Sequence, residues 1–178
     1  MIFTPTPLAG AFLVDVEPQA DARGLFTRTF CAEEFARRGL CASFPQCSTS
    51  FNHRAGTLRG LHYQAAPHAE AKLVRATAGA IFDVIVDLRA GSQTHRAWFG
   101  VELTAANRRA LYIPEGLAHG FQTLTDGAEV FYQISRPYVP EAARGARWDD
   151  PAFGIAWPRP VQVISERDRT YPDYRIGA

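Results

Sequence analysis

The sequence predicts an all-β barrel or sandwich. Ala80–Arg89 (AIFDVIVDLR) alternates strictly, with Phe82, Val84, Val86 and Leu88 on one face and Ile81, Asp83, Ile85 and Asp87 on the other. That period of two belongs to a strand with unlike faces. Similar short runs follow one another through the middle of the chain, and turn signals separate them. Helical periodicity is confined to one short stretch.

In chain order, Ala32–Arg38 reads as a helix, with Gly39 placed to end it. Leu58–Gln64 alternates, which assigns Arg59, Leu61 and Tyr63 to one face and Leu58, Gly60, His62 and Gln64 to the other. Further strands are predicted at Lys72–Ala78, Ala80–Arg89, Ala97–Leu103, Ala110–Ile113, Gly120–Leu124 and Glu129–Ser135. Ala90-Gly91-Ser92, Ala105-Ala106-Asn107, Pro114-Glu115-Gly116 and Asp126-Gly127 supply the turns between them. From about Asp149 the chain is rich in Pro and aromatic residues. It is expected to wrap the barrel as irregular structure, with Val161–Ile164 as a potential edge strand.

A length of 178 residues with 47% hydrophobic and 12% aromatic content fits one domain with a substantial core, residues 1–178. Nineteen basic side chains meet 18 acidic ones, so the formal charge is +1. That balance argues against nucleic-acid or acidic-membrane partners, which need a basic excess. Apolar runs are too short for a transmembrane helix, and Met1–Gly10 lacks the pattern of a signal peptide. Cys31, Cys41 and Cys47 have no CxxC spacing, which speaks against a disulfide framework or a zinc ribbon and for a reduced, cytoplasmic protein. Among the 19 bases only Lys72 is a lysine.

Several residues have chemical potential, each beside a plainer explanation. His62 on a strand face suits a general base, because histidine ordinarily titrates at about 6.5; a histidine hydrogen-bonded in the core or at a rim is the plainer account. A metal site in a β-barrel would want a second His two residues on, but position 64 is Gln. His53, His68, His95 and His119 are scattered singly, so no metal is expected. Tyr132 shares a face with Val130 and Ile134, as an ordinary core tyrosine would. Lys72 opens an apolar strand, and lysine is rarely buried unpaired; snorkelling at a strand end is the alternative. His119 in Pro114–Phe121 precedes a glycine that permits close approach, as a tight turn also would. Asp168 reads as a solvated acid of the tail.

Together these stretches resemble a known family. Arg23-Gly24-Leu25-Phe26, Leu58–Gln64 (LRGLHYQ), Lys72-Leu73-Val74-Arg75, Asp83–Arg89, Gly100–Leu103, Ile113–Phe121, Tyr132 and Arg147–Pro151 occur in order. They are similar to the dTDP-4-dehydrorhamnose 3,5-epimerases, enzymes of the cupin fold acting on nucleotide-linked 4-keto sugars. The likeness runs from about residue 5 to about residue 172. It implies a cupin-type jelly-roll β-barrel with one or two short helices, and a homodimer formed by exchanged N-terminal strands. It implies no metal or organic cofactor.

By that resemblance His62 is the base that removes the proton beside the C4 ketone, and Asp168 orients its ring. Tyr132 returns a proton from the opposite face, and Lys72 stands near the C4 oxygen. Arg59 and His119 bind the diphosphate. Phe26 and Tyr138 pack on or near the nucleotide and Arg23 reaches it, partly from a second subunit; Gln46, Ser48 and Arg167 complete the substrate-binding set. The reaction implied inverts C3, C5 or both in a 4-keto-6-deoxyhexose, as in dTDP-4-dehydro-6-deoxy-D-glucose to dTDP-4-dehydro-L-rhamnose. The alternatives are a single-carbon epimerase on a CDP-, GDP- or UDP-linked sugar, and a non-catalytic sugar-nucleotide-binding cupin. A cupin ketoisomerase is disfavoured by the presence of His62, Asp168, Lys72 and Tyr132 together.

The sequence departs from the family pattern on the nucleotide side. Arg28 stands where a glutamate is usual, Ser48 where an asparagine is usual, Ala143 at a place often acidic, and Arg167 where lysine is common. These departures predict retained sugar chemistry and a changed base preference.

Overall fold

The computed structural model describes residues 1–175. The chain opens with β1 (Ile2–Pro5), β2 (Phe12–Asp15) and a small hairpin of β3 (Gln19–Asp21) and β4 (Gly24–Phe26). Helix α1 (Ala32–Ala36) precedes β5 (Gln46–Asn52) and β6 (Thr57–Gln64). Then come β7 (Lys72–Ala78), β8 (Ala80–Asp87), β9 (Trp98–Thr104), β10 (Ala110–Ile113), β11 (Leu117–Thr123) and β12 (Ala128–Ile134). Two short strands, β13 (Ala143–Gly145) and β14 (Val163–Ile164), and helix α2 (Glu166–Arg169) complete the described elements.

The strands form two facing sheets, the jelly-roll arrangement. The first runs β1-β2-β10-β7-β12-β5, and the second runs β13-β6-β11-β8-β9, with β14 added in parallel to β6. Between them lies a core drawn from both sheets, including Val74, Leu111 and Val130 from the first and Ile81, Ile85 and Phe121 from the second. The alternation of β8 explains its place. Ile81 and Ile85 face this core, while Val84 and Val86 face outward. The outward face is covered by the C-terminal tail through Phe153, Ile155, Trp157 and Tyr174. Gln122 ties the tail down through hydrogen bonds to the backbone of Arg159. The expected wrap of irregular chain is thus the second lid on a strand that is apolar on both faces.

Most predicted strands appear, two of them with the predicted bounds, Lys72–Ala78 and Ala110–Ile113. β8 stops at Asp87 because that carboxylate takes the Arg89 N–H, the Arg89 guanidinium and the hydroxyls of Ser92 and Thr94, which turns the chain away. β11 starts three residues earlier than Gly120, since the turn closes at Gly116 (φ +84°) and Leu117 already pairs with Asp87. The first helix is shorter than Ala32–Arg38. Gly39 (φ +69°) donates to Ala36 and Leu40 donates to Phe35, the paired bonds of a Schellman ending. Phe35 is fully buried in a second cluster with Val14, Leu73 and Tyr112, which anchors α1 to the first sheet. Among the described residues the three cysteines are unpaired and no helix is long and apolar enough to cross a membrane.

Candidate active site

The site begins with a break in the pattern of β6. Along β11, His119 pairs with His62 and Phe121 with Arg59, so Gly60 and Leu61 together oppose Gly120 alone. This is a β-bulge, which adds one residue to one strand. It corrects the reading of Leu58–Gln64 as simply alternating, because Arg59 and His62 now line the same cavity. Gly60 makes the bulge feasible. Its φ is +116°, and a Cβ there would lie 2.6 Å from the Cα of Gly120.

The bulge also frees the Gly60 N–H, which donates to Oδ2 of Asp168 at 3.1 Å. Oδ1 of the same carboxylate lies 2.7 Å from Nε2 of His62. β14 brings Asp168 here by pairing with Thr57 and Leu58, and α2 follows at once. The Ser165 hydroxyl caps that helix by accepting the Asp168 N–H. Asp168 is therefore no solvated tail acid: its side chain is 5% exposed, against 44% for His62. Burial alone would raise its pKa, but the hydrogen bond and charge of His62, with the Gly60 N–H, hold it below the ordinary carboxylate value. A carboxylate at Nε2 fixes the Nε2–H tautomer of neutral His62 and leaves Nδ1 as the free acceptor.

The opposite wall belongs to the first sheet. Tyr132 on β12 and Lys72 on β7 line the same cavity of about 340 Å³ as His62, Arg59 and His119. Burial raises the pKa of Tyr132, the negative charge of Asp83 adds to this, and Arg59 opposes it. The phenol is therefore held in its protonated form. Lys72 is mostly buried, with Nζ 2.9 Å from Glu70 and 3.3 Å from the His62 carbonyl oxygen, so it is not snorkelling. His119 has Nε2 2.8 Å from the buried Asp83, and its ring packs edge-on against Tyr132.

The other predicted residues divide in two. Gln46, Ser48, Tyr138 and Arg167 line the cavity. Gln46 accepts the Tyr138 N–H, and Arg167 lies over the Tyr171 ring. Arg23 and Phe26 sit instead on the β3–β4 hairpin, with Phe26 76% exposed and Arg23 paired to Asp21. Arg28 lies beside Glu17 and Glu34 rather than in the cavity of its own chain. Sequence reasoning missed Glu70, Asp83, Asn52 and Arg144. Asn52 accepts from Arg59 Nε at 2.8 Å. Only Asp83 carried a sequence signal, as an acid on the core-facing side of an alternating strand. Among the described residues no group of three or more His, Cys, Asp or Glu side chains is placed to hold a metal ion.

The family model described as dTDP-4-dehydrorhamnose 3,5-epimerase matches residues 5–175. The chain belongs to the dTDP-4-dehydrorhamnose 3,5-epimerase family. It is an isomerase with the cupin-type jelly roll of that family. A dTDP-4-dehydrorhamnose 3,5-epimerase of Methanothermobacter thermautotrophicus is 44% identical over 97% of this chain and 94% of its own. The crystal structure of the Bacillus anthracis dTDP-4-dehydrorhamnose 3,5-epimerase, with TDP and PPi bound, superposes with a TM-score of 0.94. It is 38% identical and covers 97% of this chain and 99% of that one. A dTDP-4-dehydrorhamnose 3-epimerase of Streptomyces niveus is 36% identical over 95% of this chain and 82% of its own. Epimerases of one and of two carbons are thus both similar to this chain.

Proposed function

We propose that this epimerase inverts both C3 and C5 of dTDP-4-dehydro-6-deoxy-D-glucose, giving dTDP-4-dehydro-L-rhamnose. One observation carries the reading: a carboxylate-held imidazole and a protonated phenol stand on facing sheets of one cavity. Inversion beside a ketone removes a proton from one face and returns one to the other, so it needs two groups on opposite sides. His62 Nδ1 takes the proton, and the carboxylate of Asp168 stabilises the imidazolium that forms. Tyr132 delivers a proton to the opposite face of the enolate carbon. Lys72 balances the charge that grows on O4, stabilising the transition state more than the ground state. Arg59 and Arg167 supply donors for the diphosphate, for which a planar guanidinium is suited, and His119 forms part of the cavity wall beside them.

The nucleotide end is completed by a second copy of the chain. The β3–β4 hairpin pairs with no other strand among the described residues, and it exposes Leu25 and Phe26. In a homodimer this hairpin places Arg23 and Phe26 at the partner's cavity. A preference for a base other than thymine is a second reading, supported by Ser48 and Ala143 lining the cavity. Side-by-side binding of dTDP, CDP, GDP and UDP decides it, and clear preference for dTDP removes the second reading.

NMR of the 4-keto sugar nucleotide in D2O tests the main proposal. Deuterium at both C3 and C5 supports it, and deuterium at one carbon assigns a monoepimerase. No exchange with any 4-keto sugar nucleotide assigns a non-catalytic binding module.

A further inference from the structure

Glu70 precedes β7 and is buried at the cavity wall, yet the mechanism above does not use it. Its Oε1 pairs with Lys72 Nζ at 2.9 Å, with side chains 5% and 11% exposed. The same ammonium donates to the backbone oxygen of His62 at 3.3 Å. An ammonium has three N–H groups. Two are engaged by these acceptors, and one is left for the substrate. Oε2 of Glu70 is buried without a hydrogen-bond partner among the described residues. A buried ion pair contributes little net stability, because desolvation of both charges offsets their attraction. Folding stability therefore does not by itself account for burying this pair of charges at the cavity wall.

We infer that Glu70 is a positioning residue for the epimerisation, acting through Lys72: it clamps the ammonium to the backbone of His62 and so fixes the cation relative to the base. The inference rests on the reading of Lys72 as the partner of O4. A free lysine side chain spreads over many rotamers, and freezing it costs conformational entropy. If that ordering occurred only as the enolate formed, it would add to the barrier. Two fixed acceptors complete it before substrate arrives, which is the preorganisation that makes electrostatic stabilisation effective. The tie to the His62 backbone also means that base and cation move as one unit.

Steady-state kinetics of wild type, Glu70→Ala, Glu70→Gln, Lys72→Met and the Glu70→Ala/Lys72→Met double variant test the idea. Glu70→Ala should lower kcat about 10–100-fold, the range typical of partners that orient a functional group, while KM stays within about twofold. Glu70→Gln keeps an oxygen acceptor for Nζ and should recover most of that loss. Because Glu70 acts through Lys72, the double variant should be no slower than Lys72→Met alone. Losses that multiply in the double variant overturn the inference, as does a Glu70→Ala effect confined to KM. Should Glu70→Ala fail to fold, Glu70→Met fills the same space without an acceptor and takes its place. A wild type that neither exchanges nor inverts sinks the functional reading itself. A wild type that inverts, with Glu70→Ala equally fast, sinks only this inference.

Discussion

His62 and His119 are register partners on neighbouring strands, and each holds a buried aspartate through Nε2. Their exposure separates them: 44% of the His62 side chain is open to the cavity, against 5% for His119. In the proposed reaction the two similar dyads therefore take different roles, His62 as an accessible base and His119 as an enclosed part of the binding site. His62→Ala is expected to abolish deuterium exchange at the sugar carbons, a loss of about 10²–10⁴ for a removed general base. His119→Ala should mainly raise KM. Equal loss of exchange in both variants would reverse the assignment.

In the proposed reaction Tyr132 acts after the base. Tyr132→Phe keeps the ring packed on His119 and removes only the hydroxyl. Exchange at C3 and C5 should persist, because His62 still takes and returns protons on its own face, while net inversion should fall about 10²-fold or more. Comparing exchange and product formation in one NMR sample checks this, and normal inversion would mean that another group is the acid.

Lys72 is the single lysine among 19 basic residues. A guanidinium is larger and flatter than an ammonium and cannot reproduce a point charge held between Glu70 and the His62 carbonyl. Lys72→Arg should lower kcat about 10²–10³-fold, the usual cost of losing one oxyanion donor. Its thermal unfolding should stay near wild type. A wild-type kcat would remove Lys72 from the oxyanion role.

Acid stability should follow Asp87 and Asp168. Burial pushes both upward, but Arg89, Ser92 and Thr94 hold Asp87, and His62 and Gly60 hold Asp168, below the ordinary value. A carboxyl with a depressed folded pKa contributes stability that is full above its unfolded pKa of about 3.9 and is lost as pH falls through the folded value. Unfolding free energy should therefore be level near neutrality and drop below about pH 4. Asp87→Ala strands its donors, costs about 1–3 kcal/mol at pH 7, and should flatten the acid limb. Denaturant titrations from pH 3 to pH 7 measure both effects, and an unchanged acid limb contradicts the assignment.

Local pattern by itself determined the central strands, β6 to β12, but not β1 to β5. Period-two runs and the turns between them place β7, β8 and β10, and Gly39 marks the end of α1, because these depend on neighbours a few residues away. The motifs also named His62, Tyr132 and Lys72 of the cavity, and Asp168 that holds His62, through resemblance rather than spacing. Tertiary structure alone decided how they meet. The bulge at Gly60 and Leu61 exists only against Gly120 of another strand, so alternation along β6 put Arg59 and His62 on opposite faces. Asp168 reaches His62 across 106 positions through β14, a two-residue strand. Glu70 carries no sequence signal, because nothing in its local sequence shows that the fold closes over it. A strand's period is written in its own residues, whereas a cavity is made by residues far apart in the chain, whose separation carries no record of the contact.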